Sequence, residues 1–181
     1  MQTNISRWQL RGFIFVSAFG TLLHFLFELS GGSPLVGIFS AVNESIWEHM
    51  KLIFYPMLIF AVLEYKAWGR GAVGFWSIKL TGALLALALI PTVYYLYSGV
   101  LGKNVDIINV LIFYVSAAAA FILETKLFKK GIYLPIPPAM AVIVFCVIAA
   151  LFTLFTFHPP QMALFRDPVS GGYGYIPQTR K

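Results

Sequence analysis

Apolar residues run along this chain in five long blocks, each with few polar positions inside it and closed by glycine, proline or charge. The blocks cover about residues 12–29, 43–65, 73–97, 105–128 and 134–157. Each approaches or exceeds the ~20 residues that a helix needs to cross ~30 Å of hydrocarbon. Between them stand "SGGSP", "WGRGAVG", "SGVLGKN" and "KKGIYLPIPP", which carry turn and loop chemistry. After the fifth block, "HPPQMALFRDPVSGGYGYIPQTRK" is too broken by proline and glycine to cross again. The pattern predicts an all-α polytopic membrane protein, a compact bundle of five transmembrane helices over residues 1–158. Residues 159–181 then form an extracytoplasmic or interfacial tail. Pro56 and Pro91 fall inside blocks and predict local bends.

Composition agrees with lipid as the solvent. Hydrophobic residues make up 59% of the 181 and charged residues 11%, more apolar surface than a water-soluble domain of this size can hide. The net charge of +6 does not point to nucleic acid, because the basic residues flank the blocks instead of forming one patch. Anionic headgroups and the membrane potential account for them. Cys146, the single cysteine, lies in an apolar run, reads as a small buried hydrophobe and excludes an intrachain disulfide. The first block has no small-residue cleavage site and reads as a retained helix. No phosphate loop, dinucleotide fingerprint or haem-attachment motif is present.

Charge sets an expected orientation. Arg7, Arg11, Lys66, Arg70, Lys79, Lys126, Lys129 and Lys130 fall on one side of a five-span bundle; Lys51, Lys103, Arg166, Arg180 and Lys181 fall on the other. The richer side is expected in the cytoplasm, with the N-terminus inside and the tail outside a bacterial inner membrane. Glu64 and Glu124 then map to the inner ends as interfacial partners of Lys66 and Lys126, and Lys79 snorkels to the inner surface. His24, His49, His158, Glu28, Glu44, Glu48, Asp106 and Asp167 map to the outer side or outer half.

The second block opens on "VNESIWEHMK", an unusual density of polar groups for a membrane span. Asn43, with Ser45 as the alternative, is a candidate N-cap, placing Glu44 in the first turn. Glu44, Glu48 and Lys51 stand at i, i+4 and i+7, and Glu48 with Lys51 can neutralise charge near lipid. Trp47 is placed at headgroup level. His24 and Glu28 share a face of the first span, and His24 is deep enough to need partners. His158 and Asp167 return to the same side.

Three readings of this neighbourhood compete. One is a divalent-metal site, zinc for example, with His24, Glu48, His49 and His158 as the best ligand subset and Glu28 or Glu44 acting on a bound water or ligand histidine. Another is a proton-coupled or charged-solute pocket. The third is a structural hydrogen-bonded network including Asn43, Lys51 and Asp167. An enzyme reading gives Glu44 and Glu48 catalytic roles in a metal-assisted hydrolase acting on lipid or another membrane-associated substrate. "ESIWEHMK" departs from the zincin pattern, and no serine sits in a nucleophile elbow. A small transporter is the remaining alternative. Membrane lipids, a second copy of the chain and an unidentified small molecule or lipid are the expected partners. "FHPPQMALFRDP" is read either as an amphipathic tail or as a lid in which Met162, Leu164 and Phe165 dip into the interface while Arg166 and Asp167 fold over the polar mouth.

"HFLFE" (24–28), "VNESIWEHMKLIFYP" (42–56) and "FHPPQMALFRDPVSGGYG" (157–174) resemble the signatures of a family of uncharacterised bacterial integral-membrane proteins, a domain of unknown function. The resemblance spans most of the chain and implies a multi-spanning membrane protein. It implies no catalytic residue.

Overall fold

The computed structural model describes residues 4–176; Arg180 and Lys181, counted above with the tail, lie outside them. Five long helices form the bundle: α1 (Ile5–Leu29), α3 (Ile46–Ala67), α4 (Phe75–Leu101), α5 (Asp106–Lys130) and α6 (Pro138–Phe157). A single turn, α2 (Pro34–Gly37), bridges α1 and α3. All five long helices are long and apolar enough to cross a membrane. Helix α1 begins earlier than its apolar block because Asn4 caps it, its side chain accepting from the Arg7 amide. Glycines in the left-handed conformation stop α4 at Gly102 and α5 at Gly131. Helical structure runs through both Pro56 and Pro91.

Helix α3 is the hub. It packs on α1, α4 and α6, while α5 closes the bundle against α4 and α1. Met50 through Met57 are buried without interruption, so this stretch of α3 is enclosed all round, while Ile59, Val62 and Leu63 further along are exposed. Its neighbours approach closely through small residues. A Cβ added at Gly20 of α1 would stand 2.6 Å from the Leu52 carbonyl of α3 and 2.4 Å from the Phe113 ring of α5. Ala117 and Ala120 of α5 are buried completely.

Polarity is distributed inside out. Glu48, Lys51, Glu64, Lys79 and Glu124 are at most 2% exposed, whereas Ile14, Leu22, Val115 and Ile143 are each more than half exposed. Cys146 corrects the expectation of burial: it lies on the exposed surface of α6, where an apolar neighbourhood in sequence does not require an inward face.

The tail folds back on the bundle. Phe165 is buried between Trp47, with ring centroids 4.9 Å apart, and Phe155, at 5.4 Å. The Tyr175 amide donates to the Thr156 carbonyl at 2.7 Å, and the Asn43 side chain donates to the Gly174 carbonyl at 3.0 Å. Phe165 therefore does not dip outward, and Trp47 is a docking surface for the tail. Met162 remains exposed.

Candidate metal centre

The chain entering α3 builds the site. Ser45 is the N-cap, its hydroxyl accepting from the Glu48 amide. Asn43 supports the cap from outside by accepting from the Ser45 amide at 2.9 Å. This corrects the expected cap at Asn43 and has a consequence for Glu44. Glu44 lies before the helix, off the Glu48–Lys51 face, and its carboxylate is free to swing toward α1.

There it meets two imidazoles. Glu44 Oε2 lies 3.4 Å from His49 Nε2 and 3.7 Å from His24 Nε2. The two rings stand 5.2 Å apart, edge to face. One ligand atom from each of His24, Glu44 and His49 falls within 4.8 Å of the others, close enough for one ion to bridge them. His49 Nδ1 is 3.0 Å from the Ser45 carbonyl. A carbonyl only accepts, so Nδ1 donates in this contact and Nε2 is the ring atom turned toward Glu44.

The cluster is partly exposed and borders a cavity of about 300 Å³ between α1 and α5, lined among others by Thr21, Asp106, Asn109 and Tyr114. Thr21 and Tyr114 hydroxyls meet across it at 3.0 Å. A second cavity of about 270 Å³ lies beside His24 and Glu44, where Glu28 and Asn43 contribute to the wall. Asp106, Asn109 and Tyr114 were not singled out from sequence as site residues. The only signal was that Asp106 opens the span returning from the same side.

The remaining expected residues lie elsewhere. Glu48 and Lys51 form a buried ion pair at 2.6 Å. Lys51 Nζ also donates to the Gly37 carbonyl at 2.7 Å and to Thr156 Oγ1 at 2.8 Å. Thr156 in turn donates to Glu48 Oε1 at 2.9 Å, and the Val42 amide donates to Glu48 Oε2 at 3.0 Å. This network locks α2, α3 and α6 together and occupies Glu48. His158 is exposed at the end of α6 and stands outside the His24–Glu44–His49 group. Asp167 is buried but turned into its own loop, accepting from the Val169 amide at 3.0 Å and the Ser170 hydroxyl at 2.5 Å. Arg166 and Asp167 line a separate cavity with Ile46 and Tyr94, and none of the tail's described residues lines the 300 Å³ cavity.

At the opposite end of the bundle the expected surface pairs do not form. Lys66 and Lys126 are exposed, while Glu64 and Glu124 are turned inward. Both carboxylates bind Lys79, Glu64 at 2.6 Å, and Lys79 does not snorkel. Gln9 joins from α1, its Nε2 donating to Glu64 Oε1 at 3.1 Å. Lys79 Nζ also lies 5.1 Å from the centre of the Phe121 ring, a cation–π distance.

A bundle of five helices, each apolar and long enough for a membrane, with Glu48, Lys51, Glu64, Lys79 and Glu124 buried between them, defines the class of this protein. Within that class the chain belongs to the Family of unknown function (DUF6512), whose model matches residues 1–175. No curated protein and no solved structure matches it.

Proposed function

We propose that this is an integral membrane protein that binds one divalent transition-metal ion, zinc by donor preference, through His24, Glu44 and His49 at its extracytoplasmic end. The observation that carries the reading is the convergence of two imidazole Nε2 atoms on one carboxylate oxygen, at 3.7 and 3.4 Å. Two imidazoles and a carboxylate suit zinc, and three protein ligands leave a coordination position open, the arrangement of catalytic more than structural sites. The apolar exposed faces of the helices support a lipid surround, and the eight basic residues grouped on one side support a cytoplasmic N-terminus.

The adjoining cavity favours a second, finer reading, in which metal-activated water hydrolyses a membrane-associated substrate that enters between α1 and α5. Asp106, on the cavity wall, is then the carboxylate free to take a proton from that water, since Glu44 is a ligand.

Zinc titration of the purified protein in detergent, with a competing chelator, tests the metal reading. One equivalent should bind to the wild type and to His158→Ala, and none to His24→Ala or His49→Ala. Failure of the wild type to bind zinc, or equal loss in His158→Ala, refutes it. Turnover of lipid substrates that disappears in the same two variants would extend the reading to an enzyme.

A further inference from the structure

The metal reading leaves the Glu64–Lys79–Glu124 cluster unused. Its three side chains come from α3, α4 and α5, and each is at most 2% exposed. Two carboxylates face one ammonium. With all three ionised the cluster carries a net negative charge inside a closed helical interior, where an uncompensated charge is costly.

Among the described residues no second cation is at hand. Arg7 and Arg11 on α1, Lys66 on α3, Arg70 in the following turn, and Lys126, Lys129 and Lys130 on α5 are all exposed. The Tyr65 phenol packs toward Phe75 and Trp76. Helix α6 contains no acidic or basic residue. Phe60 and Phe121 stand over the Lys79 ammonium.

Hydrogen bonding distinguishes the two carboxyl groups. Glu64 has a donor on each oxygen: Gln9 Nε2 on Oε1 and Lys79 Nζ on Oε2. That is the coordination of an ionised carboxylate. Glu124 receives Lys79 on Oε2, but its Oε1 is buried with no partner, as is Gln9 Oε1. Two orphan acceptors in one buried cluster lack a donor, and such groups are rare in folded proteins. A proton on Glu124 Oε1 neutralises the cluster and turns one orphan acceptor into a donor. Gly82 leaves room for that atom, since a Cβ there would lie 2.2 Å from Oε1.

We propose that the Glu64–Lys79–Glu124 cluster is a proton-binding site that holds one proton on Glu124 at neutral pH. The site lies close to the end of the bundle. Glu64 is three residues from the end of α3, Lys79 four from the start of α4 and Glu124 six from the end of α5, which is roughly 4–9 Å along a helix axis. Exchange with water at that end is therefore short-range.

Infrared difference spectroscopy on the full chain in lipid nanodiscs tests this. At pH 7 the wild type should show the carbonyl stretch of a protonated carboxylic acid, shifting down in deuterium oxide. Glu124→Gln should remove it, and Glu44→Gln at the metal centre should leave it. A wild-type spectrum without the band overturns the proposal, whatever the variants do, as does persistence of the band in Glu124→Gln. Sodium-dependent stabilisation without the band also overturns it, because a monovalent cation would then be the ligand of the orphan oxygens.

Discussion

Replacing Lys79 by Met removes the only buried cation of the Glu64–Glu124 cluster while keeping much of the side-chain volume. Both its partners are 0% exposed and Lys79 itself 2%, so solvent screening does not rescue the pair. Breaking a buried pair from one side costs about 3–5 kcal/mol, because the charge left behind has no compensation. An exposed pair would cost under ~1 kcal/mol. The second mutation makes the test specific. If Glu124 already carries a proton, Glu64 holds the one uncompensated charge of Lys79→Met. Adding Glu64→Gln should then recover most of the loss, since a buried pair replaced on both sides is often close to neutral. Adding Glu124→Gln should recover little, because it replaces a neutral group by a neutral group. Reversible unfolding in mixed detergent micelles can be followed by tryptophan fluorescence, with Trp68 a nearby reporter against Phe75 and Phe128. A loss below ~1 kcal/mol for Lys79→Met refutes the burial argument. Equal recovery by the two glutamines refutes the assignment of the proton.

Two further outcomes test the packing. Gly20→Val should destabilise the bundle by about 1–3 kcal/mol, since the new side chain must push α1 off the Leu52 carbonyl and the Phe113 ring; an unchanged unfolding midpoint would show that α1 and α3 are not so close. Phe165→Ala should cost about 3–5 kcal/mol of tail docking by emptying the space between Trp47 and Phe155. It should be read as faster tryptic cleavage after Arg166, and an unchanged cleavage rate would refute the docked tail.

The bundle was legible because its signal is long and local. Five apolar blocks of helical length gave five helices, with shifts at the ends where caps decide: Asn4 extends α1, and Ser45 starts α3 after the expected Asn43. The convergence of His24 and His49 followed from both lying near the same end of the bundle. Choosing Glu44 over Glu48 between them depended on a two-residue difference in the cap, which residue type alone does not decide. The Glu64–Lys79–Glu124 cluster was missed for a different reason. Lys66 and Lys126 stand two residues from Glu64 and Glu124 and offered near partners, yet two residues along a helix turn a side chain to the far face. The informative spacing was three and four. Glu64 follows Phe60 and Ala61, and Glu124 follows Ala120 and Phe121, all buried. A carboxylate on an apolar stripe faces inward whatever its neighbours in sequence. Its partner Lys79 lies 45 residues from Glu124 and leaves no trace in one sequence.

Helix α3 joins the two polar regions, and the balance of charge differs between them. Near its start, Glu48 and Lys51 match one to one, with Thr156, Gly37 and Val42 supplying every further hydrogen bond named above. Such a pair is electrically closed, and its work is to hold α2, α3 and α6 together beside the His24–Glu44–His49 group. Glu64 sits 13 residues beyond Lys51, roughly 20 Å along the helix axis, with the buried residues Leu52–Met57 between them. At that separation, neither cluster can neutralise the other through direct contact. The far end of α3 must therefore balance two carboxylates against one ammonium from its own resources, and a proton is the smallest charge that completes the count. The same rigid helix that presents His49 to Glu44 presents Glu64 to Lys79. A movement of α3 along its axis would displace His49 and Glu64 together, which gives the His24–Glu44–His49 group and the Glu64–Lys79–Glu124 cluster a common mechanical element.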